Sequence, residues 1–153
     1  MAQTTKRPVN EQTHLQMWRG FLEAHSNVVK YLERRMQEQH GLALSWYDVL
    51  LQLSEGLDGR LRMGELAESV LLTRSGITRL VDRMIAAELV VREPCPGDRR
   101  GYYAVITQKG LDTIEEIGPD HSKDAWESFL GHITEEEAAV MGQVFRRVLA
   151  AGR

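Results

Sequence analysis

The chain contains a single cysteine, Cys95, so no internal disulfide staples it, which fits a reducing compartment. It has no apolar run near the ~20 residues that a membrane-spanning helix needs. Its opening segment, MAQTTKRPVNEQ, carries a basic pair with no apolar core behind it and does not read as a signal peptide. The expected location is the cytoplasm, with no membrane contact. The histidines His14, His25, His40, His121 and His132 show no metal-ligand spacing with cysteines or acids, and His121 with Asp124, one helical turn apart, is the nearest approach. No nucleophile–base–acid pattern and no phosphate-binding glycine loop appears. No metal, no cofactor and no catalytic residue is implied, so the chain reads as a non-enzyme. Cys95, between Pro94 and Pro96, reads as an incidental thiol. A basic excess is missing too: the net charge is −3, which argues against indiscriminate binding to nucleic acid.

What is present is an ordinary globular composition, 42% hydrophobic and 27% charged over 153 residues. That length suits one domain, or one domain with a dimerisation element. The charge is unevenly spread. Residues 57–109 hold nine basic against seven acidic side chains, whereas residues 110–153 hold four against nine. The acidity therefore lies mainly near the C-terminus, and the middle of the chain is mildly basic.

Residues 1–10 have no periodicity and read as a loose arm. From 11 to about 40, Leu15, Trp18, Leu22, Val29, Leu32 and Met36 recur at helical spacing. A helix of that length exceeds the globular mean and needs something to pack against, a partner subunit being one candidate. Gly41 is placed to end it. Ser45 is expected to cap a second helix with Asp48 three residues on, its apolar side being Trp46, Val49, Leu50 and Leu53. Arg60-Leu61-Arg62 is too short for its pattern to decide, with a bridging strand as one reading. A short helix over 63–70 and a turn at Leu71-Leu72 lead to Thr73, an expected N-cap. The helix after it has one apolar stripe, Ile77, Leu80, Val81, Met84 and Ile85. Leu89 to Arg92 and Tyr102 to Ile106 read as strands joined by a turn-rich loop from Pro94 to Gly101, which makes a hairpin. Thr107 is expected to cap a helix that Gly118-Pro119 interrupts. Thr134 and Glu137 form a capping box for the last helix. That helix is expected to bury Val140, Met141, Val144, Phe145, Val148 and Leu149.

Two features of the middle segment point to DNA. The helix after Thr73 has a polar face of Arg74, Ser75, Thr78, Arg79, Asp82 and Arg83. Ser75 and Thr78 are short enough for close approach to bases, Arg79 has the reach for a guanine edge or a phosphate, and Arg74 sits where free helix N–H groups accept an anion. Alone, this is also what the solvated face of any amphipathic helix shows. The hairpin adds Asp98, Arg99 and Arg100 between Gly97 and Gly101. Exposed arginines on a narrow tip suit the minor groove, where negative potential is focused, and Asp98 is placed to fix the direction of Arg100. A charged turn that only keeps a hairpin soluble is the plainer alternative.

The run from Leu66-Ala67 through Thr73-Arg74-Ser75-Gly76-Ile77-Thr78-Arg79-Leu80-Val81-Asp82-Arg83-Met84 to Asp98-Arg99-Arg100 and Ile106-Thr107 resembles the MarR family of bacterial transcription regulators. The most specific part is Asp98-x-Arg100 followed by Ile106-Thr107, with Ile where the family usually has Leu. The resemblance implies a mostly α fold with a small β-hairpin wing: a winged helix-turn-helix core over 45–107, a dimerisation helix over 11–40 and C-terminal dimerisation helices over 108–153. It implies a homodimer, usually a repressor, on double-stranded DNA, with Arg74, Ser75, Thr78 and Arg79 facing the major groove and the wing arginines in the minor groove. It further implies a small, often aromatic effector between the dimerisation and DNA-binding parts. Trp18, Trp46 and Tyr47, with His14 and Arg19 as polar partners, are candidates to contact it, although aromatics at helical spacing are also plain core. The large apolar residues of the terminal helices, Trp18, Trp126, Phe129 and Phe145 among them, support a dimer independently. The rival reading is a small-molecule binding protein or enzyme in which the winged helix is a structural or protein-contact module.

Overall fold

Helix α1 runs Glu11–His40, about 45 Å at 1.5 Å per residue. The computed structural model describes residues 10–70 and 74–152, and only the backbone of Arg74, Ser75, Arg99 and Arg100. The expected arm therefore lies, apart from Asn10, outside the described residues, as does the expected cap at Thr73. Asn10 caps α1 by accepting the Thr13 N–H at 3.3 Å. Gly41, at φ 63°, ends it in the left-handed region and returns its N–H to Gln37.

Helix α2, Leu44–Glu55, starts two residues earlier than a Ser45 cap allows. No side chain of its own caps it. The Leu44 N–H is instead taken by the Glu33 carboxylate of α1 at 3.0 Å, so the neighbouring helix does the work assigned to Ser45. Strand β1, Arg60–Arg62, leads directly into α3, Met63–Ser69, and α4 follows as Arg74–Ala86. Strands β2, Val90–Cys95, and β3, Asp98–Ile106, form the hairpin, and the sheet order β1-β3-β2 makes Arg60–Arg62 a strand, the reading that its short pattern left open. Both hairpin strands reach further than the Pro94–Gly101 loop expected from composition. An irregularity between Pro94 and Cys95 lets pairing resume as Cys95 opposite Asp98, and the turn closes on Gly97 at φ 80°.

One core joins α2, α3, α4 and the sheet. Val49, Leu50, Leu53, Leu66, Ile77, Val81, Met84 and Val90 are fully buried in it, each contributing about 1.5–3 kcal/mol relative to exposure. Helix α5, Gln108–Ser128, begins at Thr107, whose hydroxyl accepts the Gly110 N–H at 3.1 Å. Gly110 is required there. A Cβ at that position would stand 2.5 Å from the Leu89 carbonyl oxygen and 2.7 Å from the Ile106 side chain.

Contrary to the break expected at Gly118-Pro119, α5 passes through Pro119 without interruption. Proline removes one helical hydrogen bond, but contacts on both sides of it hold the helix. Ile117 is buried with Met36 and Tyr47, and Asp120 Oδ2 lies 3.2 Å from His40 Nε2. Beyond it a polar ladder locks α5 to α1. Arg35 Nε donates to Asp124 Oδ1 at 3.1 Å, and Tyr31 donates to Glu127 at 3.2 Å. Gln39, with its amide oriented to suit both neighbours, donates to Asp124 at 3.0 Å and accepts from Arg35 at 2.6 Å. Asp124 is the buried acid of this seam, at 3% exposure.

Helix α6, Glu135–Ala151, has the predicted capping box: Thr134 N–H donates to Glu137 at 2.8 Å and Glu137 N–H to the Thr134 hydroxyl at 3.3 Å. It does not bury its apolar residues within the protomer. Val140, Val148 and Leu149 are 59%, 63% and 68% exposed, and none of its residues is buried. No helix among the described residues is long and apolar enough to cross a membrane.

Candidate nucleic-acid interface

Helix α4 divides its faces as the sequence pattern requires. Ile77, Leu80, Val81 and Met84 are buried, while Thr78, Arg79, Asp82 and Arg83 face outward. The sequence places Arg74 and Ser75 in its first turn, but their side chains lie outside what is described, as do those of Arg99 and Arg100. The exposed surface of α4 is not uniformly cationic, and Arg92 on β2, which the sequence pattern did not single out, offsets the exception. Its guanidinium donates to Asp82 Oδ1 at 2.8 Å and lies 5.8 Å from the centre of the Tyr102 ring. Arg79 and Arg83 thereby stand beside a neutralised acid.

The wing has a built base. On its outer face, Arg60 and Arg62 of β1 lie 5.0 and 5.7 Å from the centre of the Tyr103 ring, within cation–π range. Arg60 also approaches Asp58 at 3.5 Å and Glu93 at 3.8 Å. A cleft of about 510 Å³ lies between α3, α4 and the wing, with Arg62, Glu65, Thr78, Cys95, Asp98 and Tyr102 among its walls. Asp98 comes within 4.0 Å of Arg62. Cys95 is buried at 4% exposure. Among the described residues, no group of three or more histidine, cysteine or acidic side chains is arranged to hold a metal ion.

The five candidate effector residues do not converge in one protomer. His14, Trp18 and Arg19 lie on the exposed N-terminal half of α1, where Trp18 stacks on Phe21 at 5.9 Å. Trp46 packs against the winged core. Tyr47 sits beside Met36, eighteen residues or ~27 Å along α1 from Trp18. Tyr47 is buried and its ring centre is 4.7 Å from that of His121 on α5. Burial raises the Tyr47 phenol pKa. Burial also raises that of Asp48 against the opposing pull of His121, and lowers that of His121 against the pull of Asp124 and Asp48. This titratable cluster at the α1–α2–α5 junction was not visible in the sequence, because its members meet only through tertiary packing.

Residues 40–101 match the sequence profile of the MarR family. AbsC, a MarR family transcriptional regulator from Streptomyces coelicolor, superposes with a TM-score of 0.84 at 30% identity, over 95% of this chain and 97% of that one. The chain belongs to the MarR family. A second MarR family regulator of that organism, Sco3205, solved in complex with DNA, matches with a TM-score of 0.86 and 28% identity over 96% of this chain and 92% of its own. The HTH-type transcriptional regulator MhqR of Bacillus subtilis is 29% identical over 82% of this chain and 83% of its own length. Like other MarR family members, the protein is a DNA-binding transcriptional regulator.

Proposed function

We propose that the protein acts as a homodimer that represses by occupying a pseudo-palindromic operator and leaves it when a small aromatic effector binds. The observation that carries the dimer is the apolar seam that one protomer leaves open. Along α1, Leu15, Met17, Trp18, Phe21 and Leu22 are 42–60% exposed, and α6 presents Val140, Val144, Phe145, Val148 and Leu149. Between the two helices lies an apolar groove of about 630 Å³, lined by Met17, Phe21, Val28, Phe129, Val144 and Phe145 among others. An exposed stripe of this size marks an interaction site, and a two-fold copy of the same helices supplies a self-complementary occupant.

In such a dimer two α4 helices enter major-groove sites roughly 34–36 Å apart. Thr73, Arg74, Ser75, Thr78, Arg79 and Arg83 serve the major groove and adjoining phosphates, and Asp98, Arg99 and Arg100 serve the wing's minor-groove contact. Tyr47, and Trp46 beside it, are the effector candidates closest to the α1–α2–α5 junction. His14, Trp18 and Arg19 belong to the half of α1 assigned to the partner.

The test pairs sedimentation with a gel-shift titration against the gene's own upstream DNA at two salt concentrations. A dimer whose affinity for one duplex falls steeply with salt, and exceeds that for random duplex, supports the reading. A monomer with no salt-dependent affinity overturns it.

A further inference from the structure

The hairpin is supported unevenly. Strand β1 pairs with β3 only from Tyr103 to Val105. The outer part of β3, Asp98 to Tyr102, has only β2 beside it, and the β2–β3 pairing is irregular where it passes from Pro94 to Cys95. A two-stranded ribbon is marginally stable by itself, so this outer part needs another anchor if it is to aim arginines at a groove.

Arg62 reaches past the end of β1 toward that unsupported part. It is the last residue of β1 and stands immediately before α3, and its backbone N–H donates to Glu65 at 2.8 Å. Its backbone is therefore fixed to the first helix of the helix-turn-helix. Its side chain crosses the Tyr103 ring and ends 4.0 Å from Asp98 Oδ2 at the wing turn. Asp98 is directed back into the wing. Its Oδ2 lies 2.5 Å from where a Cβ on Gly101 would stand, so a side chain at that position would push the carboxylate aside. Thr78 of α4 shares the cleft that Arg62 and Asp98 line.

We propose that Arg62 is a positioning residue for DNA binding, which sets the wing's direction relative to α4 by tying Asp98 and Tyr103 to the start of α3. This rests on the DNA-reading function and adds to it a residue that need not touch DNA. A planar guanidinium both stacks and pairs, whereas a lysine ammonium keeps only the charge.

The experiment uses the full chain and a duplex that the wild-type protein selects from a random pool. Arg62→Gln and Arg62→Lys are each expected to weaken binding by about tenfold. Hydroxyl-radical protection should be lost where the wing lies, with guanine N7 protection by α4 retained and the thermal midpoint within a few degrees of wild type. Asp98→Asn is expected to weaken binding as well, although removing an acid near DNA should by charge alone strengthen it. The Arg62→Gln/Asp98→Asn double variant should bind no worse than Arg62→Gln. Three outcomes overturn the proposal: Arg62→Lys binding like wild type while Arg62→Gln loses about one unit of salt slope, which marks a direct phosphate contact; additive losses in the double variant; or loss of both footprints together. If the wild-type chain selects no duplex, the DNA-reading function fails and the proposal with it. Wild-type selection with unchanged Arg62 variants removes the proposal alone.

Discussion

Asp82 on α4 accepts a hydrogen bond from Arg92 on β2 at 2.8 Å, which ties the exposed face of the helix to the arm of the wing. The pair is solvent-exposed, so its direct worth to stability is about 0.2–1 kcal/mol. Its effect on DNA binding should be of similar size but of opposite sign for the two partners. Arg92→Ala leaves an uncompensated acid beside Arg79 and Arg83 and is expected to weaken binding to random duplex by a few-fold. Asp82→Asn is expected to strengthen it by a similar factor, since one charge at ~4 Å in water is worth about 1 kcal/mol. Gel shifts at low salt read both signs, and a change of the same sign in the two variants would refute the account.

Arg79 and Arg100 should fail in different ways. Arg79→Ala is expected to cost about 1–3 kcal/mol on a selected duplex and much less on random DNA, as loss of a bidentate base contact does. Arg100→Ala should weaken both duplexes more evenly and lower the salt slope by about one. Equal losses on cognate and random DNA for both variants would rule out this division.

The open seam makes a prediction about concentration. Phe145 is 40% exposed and its ring centre lies 6.3 Å from that of Phe21 across the groove. Phe145→Asp should weaken self-association by about 30-fold or more, as loss of an interface anchor worth ~2 kcal/mol does. The wild-type thermal midpoint should rise with protein concentration and that of the variant should not. Sedimentation at several concentrations checks both, and an unchanged dimer in the variant would point the seam elsewhere.

The Tyr47–His121 contact predicts acid sensitivity. Burial holds the His121 pKa below its ordinary value, so the unfolded chain takes up that proton first. Stability from His121 is fully present above about pH 6.5 and is lost as pH falls from there through the depressed folded value. The attractions of Asp48 and Asp124 limit the loss. Asp48 acts in the opposite sense, because burial raises its pKa and the folded state holds its proton more tightly. Urea midpoints at pH 7.5 and pH 5.5 should therefore fall further for wild type than for His121→Gln, with Asp48→Asn separating the two groups. Equal falls would show that His121 does not titrate with folding.

The parts of this fold that local patterning dictates were readable from the chain. The 11–40 helix, the buried stripe of α4 and the Thr134–Glu137 box each depend on spacing within a few residues. The misreadings occurred where a distant residue decided the outcome. Ser45 lost its capping role because Glu33, eleven residues before Leu44, takes the Leu44 N–H. Pro119 failed to break α5 because packing on both sides of it outweighed one missing hydrogen bond. The wing strands outran their turn-rich composition because an irregular pairing let them continue. Arg62 gave no signal in the sequence, since its role depends on the register of β1 against β3. Arg35 and Asp124 are 89 residues apart and only the fold brings them together.

The polar ladder between α1 and α5 has a mechanical consequence. Its rungs, at Tyr31, Arg35 and Gln39, are all in the last third of α1, and among the described residues no such ladder holds the apolar residues of the first third. In the proposed dimer, α1 is clamped at one end by its own chain and gripped at the other by the partner. Sliding it by one residue would break every rung together. In that dimer the angle of α1 would set the distance between the two reading heads, and the effector proposed at its junction with α2 and α5 is expected to change that distance.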